Sequence, residues 1–486
     1  MLFPDGRGII VVLLSLLLGI LSLGFICYGL HRAVLLFVWH GGNILNPKVE
    51  IRGIAALDEI PCVTIQLPLY NELAVVERLL TAAASMDWPR DRFEIQVLDD
   101  STDGTTGLAE QTAARLRETG VDIRCIRRAD RANFKAGALA NGLARARGEF
   151  IAIFDSDFLP PADFLRRTVL HFADPMTGMV QARWTFLNER DSFLTEAQAL
   201  SLRAHFRIEH QARYRSGCFF NFNGTAGIWR AETIRDAGGW QGDTLTEDLD
   251  LSYRAQLRGW KFVYRDDIAC DSELPPTMRS YKAQQFRWMK GMAQVARKLL
   301  PSLLLAPLPP RVKIEACAHL LAPLTYPMTL FSFLLLMPLL YAGGDFRALR
   351  SFYAMSLLAT TCLVFVFHAA SEWEERPGRG LADLLRRFAA LLVVGAGNVV
   401  NATRAVTEGF LMRDSPFVRT PKRGDGLSAS YTLKMDPFIV AEAAFLLYGA
   451  WLLRAAFALS WPMLPWTLLL FGGLALSIGG QLRESC

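Results

Sequence analysis

At 486 residues the chain has room for two or three domains, by a prior of roughly one per 150 residues. Its net charge of +5 is small for that length and its basic residues form no stripe, which argues against a nucleic-acid partner. Apolar residues make up 52 % and are unevenly spread, which excludes a wholly soluble protein. The eight cysteines lie far apart with no CxxC spacing, as suits a soluble part in a reducing cytosol. The seven histidines form no HExxH. His205 and His210 are five apart, off one helical face, and read as packing residues rather than zinc ligands.

In chain order, Ile9–Leu30 runs 22 residues without a charge, enough to cross a hydrocarbon core of about 30 Å. No small-residue cleavage site precedes His31-Arg32, so residues 1–31 read as a transmembrane anchor. Residues 32–311 read as a soluble block that opens with alternating segments. Strands are expected at Val63–Leu67, Phe93–Leu98, Val121–Ile126 and Phe150–Phe154, with helices at about Ala74–Ala84, Thr105–Arg117 and Lys135–Ala146. That alternation predicts βαβ units, a mainly parallel sheet and an α/β fold. Ligands of such sheets bind beyond the carboxyl ends of the strands, where Tyr70-Asn71-Glu72, Asp99-Asp100 and Asp155-Ser156-Asp157 all fall.

Residues 312–486 return to apolar segments, with spans expected at about 314–340, 352–369, 437–453 and 463–480. Leu384–Val400 is short, interrupted by Gly395, Gly397 and Asn398, and flanked by arginines on both sides. Lys and Arg favour the cytoplasmic side, so about 384–402 reads as an interfacial amphipathic helix. A sixth span is the alternative. Five spans put the amino terminus outside and the soluble block in the cytoplasm.

The polar motifs carry the chemistry. Asp155 and Asp157, at i and i+2 beyond an apolar strand, can share a hard divalent cation with phosphate oxygens. Such a metal assists departure of a nucleoside diphosphate. Asp99 and Asp100 open a turn whose spacing approximates an EF-hand loop, but the segment before it is a strand. They read instead as acids that accept hydrogen bonds from a base or ribose. Phe134-Lys135 opens a helix whose free N–H groups, with the ammonium, suit a diphosphate. Thr246-Glu247-Asp248 is a plain helix start or a base site, with Asp248 taking the proton of an attacking hydroxyl. On the basic amphipathic segment Gln284–Gly291, Arg287 offers a planar fork to phosphate and Trp288 an indole face to a sugar ring. An interfacial tryptophan anchor is the alternative there.

The order D…DxD…TED…QxxRW resembles the processive family-2 glycosyltransferases, and among them the plant cellulose-synthase-like A and C proteins. The likeness runs through Gln66-Leu-Pro-Leu-Tyr-Asn-Glu72, Ile95-Gln-Val-Leu-Asp-Asp-Ser101, Val180-Gln-Ala-Arg-Trp184, Phe219-Phe-Asn-Phe-Asn-Gly-Thr-Ala-Gly-Ile-Trp-Arg230, Gly259-Trp-Lys-Phe262 and Ser272-Glu-Leu-Pro275. It implies a GT-A (Rossmann-like) glycosyltransferase domain followed by a multi-span helical membrane region. By the same resemblance Tyr70, Glu72, Asp100 and Lys135 hold the nucleotide and Asp155 and Asp157 hold Mg²⁺ or Mn²⁺. Asp248 is the base, and Gln284, Arg287 and Trp288 grip diphosphate and acceptor. Phe417–Lys422, within about 412–425, is similar to the gating loop of cellulose synthases.

The expected activity is polymerisation of a β-1,4-linked mannan, glucomannan or glucan at the plasma (inner) membrane. The donor is GDP-mannose, GDP-glucose or UDP-glucose, and the acceptor is the growing glycan. An export partner or a homo-oligomer is compatible with this reading. The alternative is a single transfer to a lipid acceptor such as polyprenyl phosphate or diacylglycerol.

Overall fold

The computed structural model describes residues 7–41, 60–341, 347–414 and 436–484. Helix α1 (Arg7–His40) precedes a sheet domain. The domain begins with β1 (Val63–Leu69), α2 (Val76–Ala84), β2 (Phe93–Asp99), α3 (Thr105–Glu118), β3 (Ile123–Ile126), α4 (Phe134–Leu143) and β4 (Phe150–Ile153). These are the alternating elements that the apolar periodicity predicts, and β3-β2-β1-β4 pair in parallel. The chain then adds α5 (Phe164–Val169), β5 (Thr177–Phe186), α6 (Phe193–Ala204), α7 (Gln211–Arg215), β6 (Gly227–Arg230), α8 (Ala231–Asp236), α9 (Glu247–Leu257) and β7 (Lys261–Ser272). The seven-stranded sheet runs β3-β2-β1-β4-β6-β5-β7. Only β6 is antiparallel to its neighbours, so the sheet is mixed but mainly parallel.

Alternation along the strands fills two cores. Val63, Ile65 and Leu67 face α2 and α3, where Leu79, Leu80, Ala109 and Ala113 are fully enclosed. Leu98, Ile151 and Ile153 face the other way, onto α4, α8 and α9. Each such Val, Ile or Leu side chain contributes roughly 1.5–3 kcal/mol by leaving water. Two covered faces therefore pin the register of the strand ends that carry the polar motifs.

Beyond the sheet come α10 (Met278–Leu305), α11 (Pro310–Leu321), α12 (Thr325–Tyr341), α13 (Arg347–Glu375), α14 (Leu381–Gly397), α15 (Val399–Phe410), α16 (Ile439–Leu459) and α17 (Leu464–Arg483). Among the described residues five stretches are long and apolar enough to cross a membrane: Val12–His40, Pro310–Tyr341, Ala348–Glu375, Ile439–Leu459 and Trp461–Arg483. α14 and α15 form a pair bent by 54°, which makes a sixth if it counts as one span. The segment read as one helix at about 384–402 is thus two, with Asn398 at the joint. Gly397 has a packing cause, since a Cβ there would lie 2.5 Å from the Gly473 carbonyl oxygen of α17, whereas a Cβ on Gly395 would meet open space. Phe417–Lys422 lies outside the described residues.

The sheet domain is bolted to the helices by charge. Buried Glu189, after β5, accepts hydrogen bonds from Arg203 of α6, from Arg376 just after α13 and from Arg387 of α14. Those three cations outweigh the burial that would raise its carboxyl, and hold it down at about 2.

Candidate active site

The strand ends converge on a cavity of about 220 Å³. Tyr70 and Glu72 reach it from the end of β1, Asp100 from β2, and Asp155 and Asp157 from β4. Local backbone bonds hold these ends together. Asn71, in the left-handed region at φ 57°, donates its N–H to Ser101 Oγ and accepts from the Thr102 N–H, tying β1 to β2. The Asp155 N–H donates to Thr225 Oγ1 at 2.8 Å, tying β4 to the loop before β6.

At the nucleotide end, Asp100 receives a bidentate fork from Arg128, Nε at 2.8 Å and a terminal nitrogen at 2.6 Å. The Arg131 guanidinium lies 3.2 Å from the Tyr70 ring centroid, a cation–π contact on the cavity wall. Asp99 does not line this cavity. Its Oδ1 accepts from the Ser101 N–H and its Oδ2 from Thr106 Oγ1 at 2.6 Å, so it braces the turn from beneath. The sequence puts both acids of the pair toward a ligand; of the two, Asp100 borders this cavity. Strand alternation sends Asp99 and Asp100 to opposite sides.

Lys135, in the first turn of α4, lies over the centre. Its Nζ donates to Asp155 Oδ1 at 2.5 Å and to the Gly224 carbonyl at 2.8 Å. Burial by itself lowers the ammonium's pKa, but the carboxylates of Asp155, Glu247 and Asp248 outweigh it and hold it above its ordinary value. A protonated lysine among three acids is a ready counter-charge for a diphosphate.

Asp155 and Asp157 are the carboxylates in the cavity whose chemistry suits a divalent cation. Among the described residues no cluster of three or more His, Cys, Asp or Glu side chains could hold a metal by itself. Two carboxylates facing the cavity, completed by diphosphate oxygens and water, are the ligand set that suits Mg²⁺ or Mn²⁺. The residues present fit such an ion only in company with a phosphate ligand.

Thr246 stands at the head of α9, but its hydroxyl makes no capping bond. It packs instead against α10, where a Cβ on Gly291 would come within 2.5 Å of Thr246 Cγ2. The helix start is therefore not the plain capped one that its sequence also allows. Glu247 and Asp248 follow and both line the cavity. Burial, then the neighbouring Glu247 carboxylate, push the Asp248 carboxyl up to about 7. Gly224, at φ +82°, makes room: a Cβ there would stand 3.1 Å from Asp248 Oδ2. Ser252 and Gln256 of α9 bond the backbone of Phe222 and Phe220 and so lock the Asn223-Gly224 turn over the acid.

From α10, Gln284, Arg287 and Trp288 complete the wall. Burial lowers the pKa of Arg287, partly offset by Asp155, Glu247 and Glu72, which places its guanidinium near the same acids as Lys135. Asn223, Thr246, Asp248, Gln284 and Trp288 also border a second cavity of about 320 Å³. That cavity continues between Tyr28 of α1, Tyr326 of α12, Phe367 of α13 and Val394 of α14. The wall bearing Asp248 therefore separates a polar chamber from one that reaches the candidate spans.

Residues 61–291 match the family described as glycosyltransferase like family 2. This stretch is a family-2 glycosyltransferase domain. Over about this length the chain is similar to glucomannan 4-beta-mannosyltransferase 2 of Arabidopsis thaliana, 45 % identical over 247 residues, which cover 49 % of this chain and 46 % of the relative. It is also similar to glucomannan 4-beta-mannosyltransferase 1 of Cyamopsis tetragonoloba, 43 % identical over 249 residues, 50 % of this chain and 47 % of the relative. The chain spans about half the length of the curated relatives it matches. Among solved structures, mannosyltransferase PcManGT from Pyrobaculum calidifontis, in complex with GDP-Man and Mn²⁺, shares the fold. Its TM-score is 0.54 at 21 % identity, over 82 % of this chain and 100 % of that one.

Of the eleven site residues expected from the sequence, ten border this first cavity and Asp99 alone does not. Sequence reasoning missed Arg131, Trp184, Asn223, Gly224 and Glu247, which also border it. The Asn-Gly dipeptide inside a Phe-rich run was the available signal for the turn over Asp248. Arg131 carried none, because its partner Tyr70 is 61 positions away.

Proposed function

We propose that this protein is an inverting, processive glycosyltransferase that builds a β-1,4-linked mannan or glucomannan from GDP-mannose at the cytoplasmic face of a plasma (inner) membrane. The observation that carries this reading is the shared wall. Asp248 and Trp288 border both the polar chamber that suits a nucleotide sugar and the aromatic cavity that runs on among the candidate spans. A polymerase needs both: donor on one side, the end of its own product on the other. The names of the plant relatives and of PcManGT favour a GDP-sugar donor.

In this mechanism Tyr70, Glu72 and Asp100 hold the nucleoside, and Lys135 and Arg287 face the diphosphate. Asp155 and Asp157 would hold Mg²⁺ or Mn²⁺, which supplies charge neutralisation to the departing diphosphate. The acceptor's terminal sugar stacks on Trp288 and is steadied by Gln284. Its hydroxyl oxygen forms the new bond to the anomeric carbon as the carbon–phosphate oxygen bond breaks on the opposite face, which inverts the centre. Asp248 takes the hydroxyl proton. A carboxyl raised to about 7 is matched to that task, since a general base works best with a pKa near the working pH. The bent pair α14–α15 lies at the inner face of the bilayer in this arrangement.

The test is incubation of membranes holding the full chain with labelled GDP-mannose, GDP-glucose and UDP-glucose in turn. A β-1,4-linked product of many sugars from GDP-mannose is expected. A product no longer than a mono- or disaccharide on a lipid would overturn processivity.

A further inference from the structure

Two lysines of α10 take no part in the mechanism above, yet both are buried: Lys282 is 5 % exposed and Lys290 wholly enclosed. A buried ammonium is tolerated only when paired, and each is. Lys282 binds Glu442 of α16, whose other oxygen accepts from Gln481 of α17. Lys290 binds Glu408 of α15 at 2.9 Å. At 3.6 residues per turn, Lys282, Phe286 and Lys290 share one face of α10, while Gln284, Arg287, Trp288 and Gly291 share the other. The helix that presents the acceptor platform is thus held from behind by charge.

The turn at Lys290-Gly291 is gripped on both sides. Behind it, α15 comes so close that a Cβ on Gly409 would lie 2.5 Å from the Lys290 carbonyl oxygen and 2.7 Å from Ala293 Cβ. In front, the Gly291 backbone touches Thr246, two residues before Asp248. The Gly409 backbone against the Lys290 carbonyl has no side chain to absorb a shift, and the short Thr246 side chain against Gly291 has little room to give. Glu408 is itself aimed by Arg404, whose Nε donates to Oε1 at 2.8 Å and whose guanidinium lies 4.9 Å from the Phe286 ring centroid.

We propose that Lys290, through its ion pair with Glu408, is a positioning residue for sugar transfer: helix α15 sets, through one turn of α10, where Trp288 stands relative to Asp248. Neither Lys290 nor Glu408 borders the donor cavity or its aromatic neighbour. Their effect is therefore on the geometry of attack and not on grip of the nucleotide. Misplacement by about 1 Å far from the chemistry can cost on the order of 10²-fold in rate.

This inference rests on the glycosyltransferase reading, and the experiment separates the two. Full-length wild type and the variants Glu408→Gln, Lys290→Met and Gly409→Ala are compared in membranes with GDP-mannose, or whichever of the three donors wild type uses. Glycan formed, free nucleotide released and affinity for that donor's nucleoside diphosphate (GDP for GDP-mannose) are measured for each. The expected result is a fall in kcat for transfer of about tenfold or more. The KM for donor and the nucleoside diphosphate affinity stay within about threefold, and the ratio of glycan to released nucleotide drops. Gly409→Ala removes no charge and should give the same split, because it pushes α15 off the same turn. In Lys290→Met, Glu408 keeps Arg404 as a partner; if that variant does not fold, Glu408→Gln and Gly409→Ala decide. A kcat within twofold of wild type in the folded variants overturns the proposal. So does a loss of kcat, nucleoside diphosphate affinity and unfolding temperature in proportion, which is what a merely structural pair would give. Wild-type membranes that transfer no sugar from any donor would instead remove the functional reading.

Discussion

The two halves of the candidate site are built in opposite ways. In the proposed mechanism the donor half gathers Tyr70, Asp100 and Asp155 from the ends of β1, β2 and β4, which lie side by side in the parallel part of the sheet. The acceptor half takes Trp288 from α10, Asn223 from the loop before β6, and Tyr28, Tyr326, Phe367 and Val394 from four helices spread over most of the chain. One half follows from local pattern and the topology of a parallel sheet. The other exists only because a bundle of apolar helices docks against the sheet domain. A single substitution should therefore damage one half and spare the other, and Asp248, on the shared wall, is the place where both meet.

The largest effect is expected there. Asp248→Asn keeps the shape and removes the proton acceptor, so transfer should fall by about 10²–10⁴-fold while GDP still binds. Rates from labelled donor, set beside GDP affinity by calorimetry, decide it; turnover within a few-fold of wild type would take Asp248 out of the mechanism. Next comes the cation. Chelation with EDTA should abolish transfer, with Mg²⁺ or Mn²⁺ restoring it, and Asp157→Ala should weaken GDP binding only when metal is supplied. Full activity in thoroughly chelated membranes is the contrary result.

The pH profile tests the wall from another side. Asp248 must be ionised to accept a proton, and burial beside Glu247 raises it from 3.8 to about 7. Transfer should therefore rise about tenfold per unit up to about pH 7 and level off above it. A kcat/KM profile flat between pH 5 and 7, measured with donor well below its KM, would show that this group does not titrate as the base of the free enzyme.

Trp288→Ala should break the acceptor half alone. Loss of an aromatic contact of about 1.5 kcal/mol corresponds to roughly tenfold less polymer, with GDP affinity and slow donor hydrolysis preserved. Parallel loss of polymer and donor binding would mean that the two halves are not separable. The smallest functional effect belongs to Asp99, which the structure places under the turn. Asp99→Asn should cost about 1–3 kcal/mol of stability, seen as a lower denaturant midpoint, and leave the donor KM within twofold. A large rise in donor KM would return Asp99 to the site.

Sequence alone determined the sheet domain's alternating elements, because period-2 and period-3.6 apolar patterns are local and a parallel sheet forces polar motifs to the strand ends. It also marked the apolar helices, since length and hydropathy suffice for those. It did not determine which acid of Asp99-Asp100 faces the cavity, since that depends on the register of β2 against its neighbours. Nor could it show that Thr246 packs on Gly291, that Arg131 covers Tyr70, or that Lys290 meets Glu408 across 118 positions. Those contacts join residues remote in sequence, and no local propensity encodes them. The apolar stripe of α10 brings the helix to the bundle, but only the packed bundle selects which lysine finds a partner and which side chains are left to line a cavity. Tertiary structure decided the acceptor half because burying the helices' apolar faces fixes the helices in place, and the space they leave between them is a property of the packing and of no single segment.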